Sequence, residues 1–252
     1  VREALFQVRG LTKGYGQRTV LEGIDFDILR GECLAILGRS GCGKSVTLRQ
    51  LNGLERPEGG SVVFDGLDLV QLDERELVPI RRRIAMLFQS GALFDSMTVF
   101  ENVAFPLREH TDHPEAEIAE QVRHKLELVR LKDIETKMPS DLSGGMKKRV
   151  ALARSLALDP EVLLFDEPTT GLDPITSATI GHLIRTIHDQ IGVTQVVVTH
   201  DLALVRRVAD RLAFLSGGRL RFVGTWDEAG RSTDRELADF LAGREEEDAD
   251  AA

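Results

Sequence analysis

The chain predicts an α/β fold: a mostly parallel core sheet, an antiparallel β subdomain at the N-terminal end, and an inserted helical lobe. Three observations predict it. Short apolar runs at residues 33–37, 162–165 and 196–199 suit strands buried on both faces, and helical segments separate them, as in a parallel sheet. Residues 5–11 and 20–28 instead alternate apolar and polar side chains, the mark of antiparallel strands with one wet face. Residues 99–108 and 115–129 have helical spacing, with Pro106 and Pro114 breaking the region between them, so residues 100–138 stand apart from the sheet.

Taken in order, residues 12–18 are glycine-rich and form the turn between the first two strands, with Tyr15 at its tip. The run 33–37 feeds a glycine loop and a helix over about 44–52. Residues 61–65 and 84–88 read as further strands, and Arg81-Arg82-Arg83 as a solvated basic face before the second of them. Ser143 is a good N-cap for a helix patterned by Val150, Leu152, Ala153, Leu156 and Ala157 and ended by Asp159-Pro160. Residues 174–191 form the helix between two buried strands. Residues 212–215 and 220–223 make a hairpin through Ser216-Gly217-Gly218. One domain therefore spans residues 1–243, with its helical lobe at about 96–158. Residues 244–252 read as an acidic, disordered tail.

At 252 residues the chain suffices for one large domain. No window approaches the roughly eighteen consecutive apolar residues that a membrane span needs, and no basic-then-apolar leader opens the sequence. The expectation is a chain that neither spans a membrane nor is secreted. Cys33 and Cys42 are too few for a disulfide framework and suit a reducing compartment. A net charge of −9 argues against nucleic-acid binding and against direct adhesion to anionic lipid. Membrane association should therefore run through a protein partner.

Chemistry concentrates in a few places. Gly38, Arg39, Ser40, Gly41, Cys42, Gly43, Lys44 and Ser45, with Val46 behind them, form a loop between strand and helix. Its backbone N–H groups and helix start can cradle phosphates. Lys44 should reach the β- and γ-phosphates and Ser45 should hold Mg²⁺. Asp166 ends a buried strand, where a lone carboxylate is costly and a magnesium ion removes the cost. Glu167, the next residue, faces elsewhere and suits polarisation of an attacking water. Gln89 follows a strand and can offer its amide oxygen to Mg²⁺ or that water. His200, at another strand end, can donate to a γ-phosphate. Alone, Gln89 would more often be an ordinary surface glutamine, and His200, as a lone histidine, would usually be structural, so its weight comes from position. His110, His113, His124, His182 and His188 lack metal-ligand spacing and read as surface residues. Ser143, Gly144 and Gly145 at a helix start resemble a second anion site, for which one small domain has no second nucleotide.

Together these motifs resemble the ABC-transporter ATPases, P-loop NTPases of ABC type, over essentially the whole chain from Leu5 to about Phe240. The resemblance implies ATP as substrate and a head-to-tail dimer with a second copy, in which Ser143-Gly144-Gly145 of one chain closes on the γ-phosphate held by the other. It also implies that Tyr15 stacks on adenine, that Gln89 is the Q-loop, that Asp173 lies in the D-loop and that His200 is the switch histidine. Leu142-Ser-Gly-Gly-Met146 departs from the commoner ending in glutamine. Since serine and glycine make the phosphate contacts, activity should survive. The stretch Met86-Leu-Phe-Gln-Ser-Gly-Ala-Leu-Phe94, Val99-Phe100, Asn102-Val103-Ala104, Pro106-Leu-Arg-Glu-His-Thr111, Met146 and Asp173-Pro-Ile-Thr176 resembles the MlaF-type ATPases of Mla and Mce lipid-transport systems. That implies a membrane permease subunit docking near the Q-loop and helical lobe, and a place at the cytoplasmic face of the membrane. Two other classes compete. An importer cassette for another small substrate would share the catalytic motifs, and soluble ABC ATPases act in translation or DNA repair without a permease. The acidic balance and the lack of coiled-coil arms disfavour the latter, and Glu167 with His200 disfavours a non-hydrolysing ATP binder.

Overall fold

The computed structural model describes residues 3–244, so the tail expected at 244–252 lies, but for Arg244, outside the described residues. In chain order the elements are β1 (Ala4–Tyr15), β2 (Arg18–Leu29), β3 (Cys33–Leu37), α1 (Lys44–Leu51), β4 (Gly59–Phe64), β5 (Leu67–Asp68), α2 (Glu74–Arg83) and β6 (Ile84–Leu87). There follow α3 (Val99–His110), α4 (Glu115–Leu128), a 3-10 turn at Pro139–Asp141, α5 (Gly144–Ser155), β7 (Val162–Asp166), α6 (Pro174–Ile191) and β8 (Thr194–Thr199). The chain continues through α7 (Leu202–Val208), β9 (Arg211–Ser216), β10 (Arg219–Gly224), α8 (Trp226–Gly230) and α9 (Arg235–Leu241). The expected fold class, α/β with a mostly parallel sheet and a separate antiparallel one, is what forms.

The chain divides into two compact units, one reaching Leu72 and resuming at Val197, the other comprising Asp73–Val196. In the first unit, β2-β1-β4-β5 form an antiparallel sheet in that order. The rings of Phe6 and Phe64 stand 4.8 Å apart in its buried face. This unit also holds strands in the order β10-β9-β3, with β3 parallel to β9 and β10 antiparallel to it, and the last residues of β8 from Val197 on. Every residue of β3 is buried, as its unbroken apolar run requires. Ala35, Leu37, Val205, Leu212, Phe214, Ala229 and Leu237 form a core cluster, with Trp226 and Phe240 packed on it.

The second unit holds β6 and β7, parallel from Ile84 opposite Val162 to Leu87 opposite Phe165, and the start of β8 up to Val196. An ion pair from Arg83 Nε to Glu161 Oε1, 2.5 Å, closes the entrance to both strands. Helices α3, α4 and α5 pack on one another, burying Val99, Val103 and Leu107 with Ile118, Val122, Leu126 and Val150.

Four expectations change. The first turn is shorter than 12–18: β1 runs on to Tyr15, paired with Arg18, so only Gly16 and Gln17 turn the chain. Pro106 does not break the helical region but sits inside α3. A proline removes one backbone bond, and the apolar face buried around it outweighs that loss. Arg81-Arg82-Arg83 form the last turn of helix α2, which contains Pro79 and was not anticipated. His188 is 7% exposed, and its Nδ1 lies 3.1 Å from the Val193 carbonyl beyond the end of α6, so it is a core histidine. His110, His113, His124 and His182 are exposed as expected.

Candidate active site

In the first unit the glycine loop joins β3 to α1. Gly43 has φ 106°, and a Cβ there would meet Leu21 Cδ2 at 2.6 Å, so no larger residue fits. A Cβ on Gly38 would run into the Leu215 carbonyl and the sulfur of Cys42. Arg39, Ser40 and Gly41 are exposed at the rim, while Gly43, Lys44 and Val46 are buried and Ser45 is half-buried. Lys44 folds back over the loop, its Nζ donating to the carbonyls of Gly38 at 2.9 Å and Arg39 at 3.0 Å. The ammonium is thereby held at the mouth of the anion cradle. Tyr15, 48% exposed, donates its hydroxyl to Glu55, with Lys13 over its ring at 5.4 Å. Burial, then the Glu55 contact, pushes its phenol pKa up. The ring is thus anchored at its edge and leaves an aromatic surface open. His200 is exposed between the end of β8 and the start of α7, which Asp201 caps by accepting from Ala203 and Leu204 N–H.

The second unit gathers the other candidates. Asp166 closes β7 and is 8% exposed, and Glu167 follows with φ 47°, a left-handed conformation uncommon for a non-glycine residue and frequent at functional sites. Glu167 Oε2 accepts from the Thr170 hydroxyl at 3.2 Å. Gln89 is exposed just beyond β6. Ser143 caps α5, its hydroxyl accepting from Met146 N–H at 3.3 Å. Gly145 faces Thr176 so closely that a Cβ would lie 2.5 Å from its Cγ2, and Gly144 faces Leu172. The serine-glycine turn and the Asp173 turn are therefore neighbours. Asp173 caps α6, accepting from the backbone of Ile175 and Thr176 at 3.0 Å and from the Thr176 hydroxyl at 2.5 Å. The Thr176 hydroxyl and backbone bonds hold its carboxyl below the usual range.

Sequence reasoning missed Lys148 and Arg154 on α5. Lys148 is 7% exposed, donates to the Gln89 main-chain carbonyl and interacts with Asp166 and Glu167. Burial pushes its ammonium pKa down against the pull of those carboxylates. The available signal was Lys147-Lys148 close to the start of a helix, where a cation is unfavourable unless something takes its charge. Asn102, fully buried, was also missed as a structural hub. Its side chain accepts from Phe94 N–H and donates to the carbonyls of Phe94, Met97 and Thr98.

A groove of about 640 Å³ lies in the second unit, lined by Arg81, Arg82, Met86, Phe88, Phe94, Phe105, Pro106, His110 and Arg154, with no acidic residue. Phe94 and Phe105 stand 5.0 Å apart, and the Arg154 guanidinium lies 5.5 Å over Phe94. Among the described residues no group of three or more His, Cys, Asp or Glu forms a metal cage. Ser45 in the first unit and Gln89 and Asp166 in the second each carry oxygen donors, the kind of ligand that the hard Mg²⁺ ion takes.

Residues 21–170 match the family model described as ABC transporter. The chain belongs to the ABC transporter family. It is an ATP-binding, ATP-hydrolysing cassette subunit of such a transporter. This ABC cassette is 45% identical over 238 residues, 94% of the chain and 69% of the relative, to the "probable ribonucleotide transport ATP-binding protein mkl" of Mycobacterium leprae. It is 42% identical over 243 residues, 96% of the chain and 92% of the relative, to the "intermembrane phospholipid transport system ATP-binding protein MlaF" of Haemophilus influenzae. The MlaF of Escherichia coli K12 is 41% identical over 239 residues, 95% and 89%. A solved dimeric ATP-binding cassette in a post-hydrolysis state, bound to ADP and Pi, superposes with a TM-score of 0.80 at 32% identity, covering 87% of this chain and 98% of that one. A cassette of Clostridium perfringens, cbiO1, part of the ABC transporter complex cbiONQ, gives 0.83 at 32% identity, covering 91% and 92%. Among the described residues no helix is long and apolar enough to cross a membrane.

Proposed function

We propose that this ABC cassette, as a head-to-tail dimer of two copies, drives a separate membrane permease that moves phospholipid or a related lipid. One observation carries the substrate class. The stretches that resemble MlaF-type ATPases supply Met86, Phe88, Phe94, Pro106 and His110 of the basic, apolar groove, where a permease helix with acidic side chains would dock. Partner choice is written there, and the MlaF relatives share 41–42% identity over nearly the whole chain. The permease would hold the cassette at the cytoplasmic face of the membrane, since a chain of net charge −9 gains nothing from anionic lipid directly.

In the hydrolysis step Lys44 and the loop N–H groups bind and orient the β- and γ-phosphates. Ser45, Gln89 and Asp166 would hold Mg²⁺, which when bound neutralises phosphate charge. Glu167 accepts a proton from the attacking water, and His200 donates to a γ-phosphate oxygen. Tyr15 stacks on adenine. Ser143, Gly144 and Gly145 of the second copy close over the γ-phosphate, with Asp173 beside them at the dimer contact.

The mycobacterial relatives are named for ribonucleotide transport, which is the competing substrate. Pulling the intact complex from native membranes in mild detergent and analysing its bound small molecules by mass spectrometry separates the two. Phospholipid enriched over the bulk membrane, together with a co-purifying membrane subunit, is the expected result. Ribonucleotide other than the adenine nucleotide of the site, without lipid enrichment, would overturn the lipid assignment. Ribosomes or DNA in place of a membrane protein would overturn the transport role.

A further inference from the structure

Two cations of α5 grip the loop that carries Gln89. Lys148 donates to the Gln89 carbonyl, and Arg154 Nη2 donates to the Gly91 carbonyl at 3.0 Å. Between them the loop turns on a bond from Gly91 N–H to the Phe88 carbonyl, 2.8 Å. Gly91 lies flat against the helix, since a Cβ there would stand 3.4 Å from the Ala151 Cβ. Asp166 and Glu167 lie near enough for their charges to act on the Lys148 ammonium. One buried cation thus touches the loop bearing the amide and senses both carboxylates.

We propose that Lys148 is a positioning residue for ATP hydrolysis, fixing the main chain of Gln89 to α5 while its charge steadies Asp166 and Glu167. The amide and the two carboxylates then keep one mutual arrangement before nucleotide arrives. Bonds to a charged donor are the stronger kind, and the part-buried Gln89 carbonyl deprived of its donor is destabilised further. Because Ser143-Gly144-Gly145 open the same helix, movement of α5 carries the Gln89 loop with it. The proposal rests on the roles given above to Gln89, Asp166 and Glu167.

The test uses the full chain. In nucleotide-free protein, amide hydrogen exchange at residues 88–91 should accelerate about tenfold or more in Lys148→Met, with exchange in α3 unchanged. Lys148→Arg, which keeps a charged donor, should retain the slow exchange. Turnover should fall about tenfold or more in Lys148→Met and recover in Lys148→Arg, with KM for ATP moving about twofold or less, because the phosphate loop is untouched. Unchanged exchange at 88–91 in Lys148→Met, or its full turnover, overturns the proposal. If Lys148→Met exchanges faster throughout, Lys148→Arg decides: slow local exchange and high turnover support the positioning role, and loss of either overturns it. Gln89→Ala is measured beside them. Full turnover there would remove Gln89 from catalysis, a failure the exchange data in nucleotide-free protein register separately.

Discussion

Glu167 has a backbone conformation that an L-residue adopts at a cost, directly after a strand whose five residues are all buried. The kink sets Glu167 apart from the strand that Asp166 ends, and its carboxylate accepts from the Thr170 hydroxyl at 3.2 Å. Glu167→Gln keeps the shape and removes the base. Turnover should fall at least about a hundredfold while ATP affinity, read with a fluorescent analogue, stays within about threefold. Full turnover would remove Glu167 from the mechanism. The candidates legible in the sequence were those whose role is local: Gly43 and Lys44 within one loop, and Ser143 as cap of the helix it precedes, whereas the capping of α6 by Asp173 was not read. Lys148 and Arg154 were not legible, because their partners at Gln89 and Gly91 lie some sixty positions away and are backbone atoms with no side-chain signature.

Elements announced by a sustained pattern, such as β3, β7 and α6, were readable, and those held by context were not. Helix α2 hid behind Pro79, yet its N-terminus is secured by a full capping box. Asp73 accepts from Glu76 N–H at 2.9 Å, and Glu76 accepts from Asp73 N–H at 2.8 Å. Helices α7, α8 and α9 are too short to show a period, and their stability comes from the Leu37 and Phe214 cluster they cover. The C-terminal end of α2 bears on function, because it places Arg81 and Arg82 on the rim of the apolar groove. Arg81 is already paired with Glu74 at 2.8 Å, so the rim is ordered before any partner arrives. Reversing both charges, Arg81→Glu with Arg82→Glu, should cut co-purification of the membrane subunit about tenfold or more by setting like charges against an acidic helix. ATP binding by the purified chain is the control. Undiminished co-purification would move the docking site elsewhere.

At the scale of the molecule, the phosphate loop belongs to one compact unit and the Ser143 turn to the other, each with its own architecture. A serine-glycine helix start, exposed at Ser143 and Gly144, leaves anion-binding groups that capping alone uses only in part. If two copies meet head to tail as proposed, every reaction centre draws one half from each copy. Complementation tests this directly. Lys44→Ala disables a chain's phosphate loop and leaves its Ser143 turn whole, while Ser143→Arg does the reverse. Each variant alone forms dimers with two damaged centres and should be inactive. Mixed in equal amounts, half the dimers pair unlike chains, and in each of these one centre is damaged twice and the other is intact. The mixture should therefore recover about one quarter of wild-type turnover if centres act independently. Recovery should disappear on dilution below the dimerisation range, because the intact centre exists only while two chains are joined. If each chain instead hydrolyses ATP with its own Ser143, mixing restores nothing at any concentration, and the dimeric reaction centre is refuted.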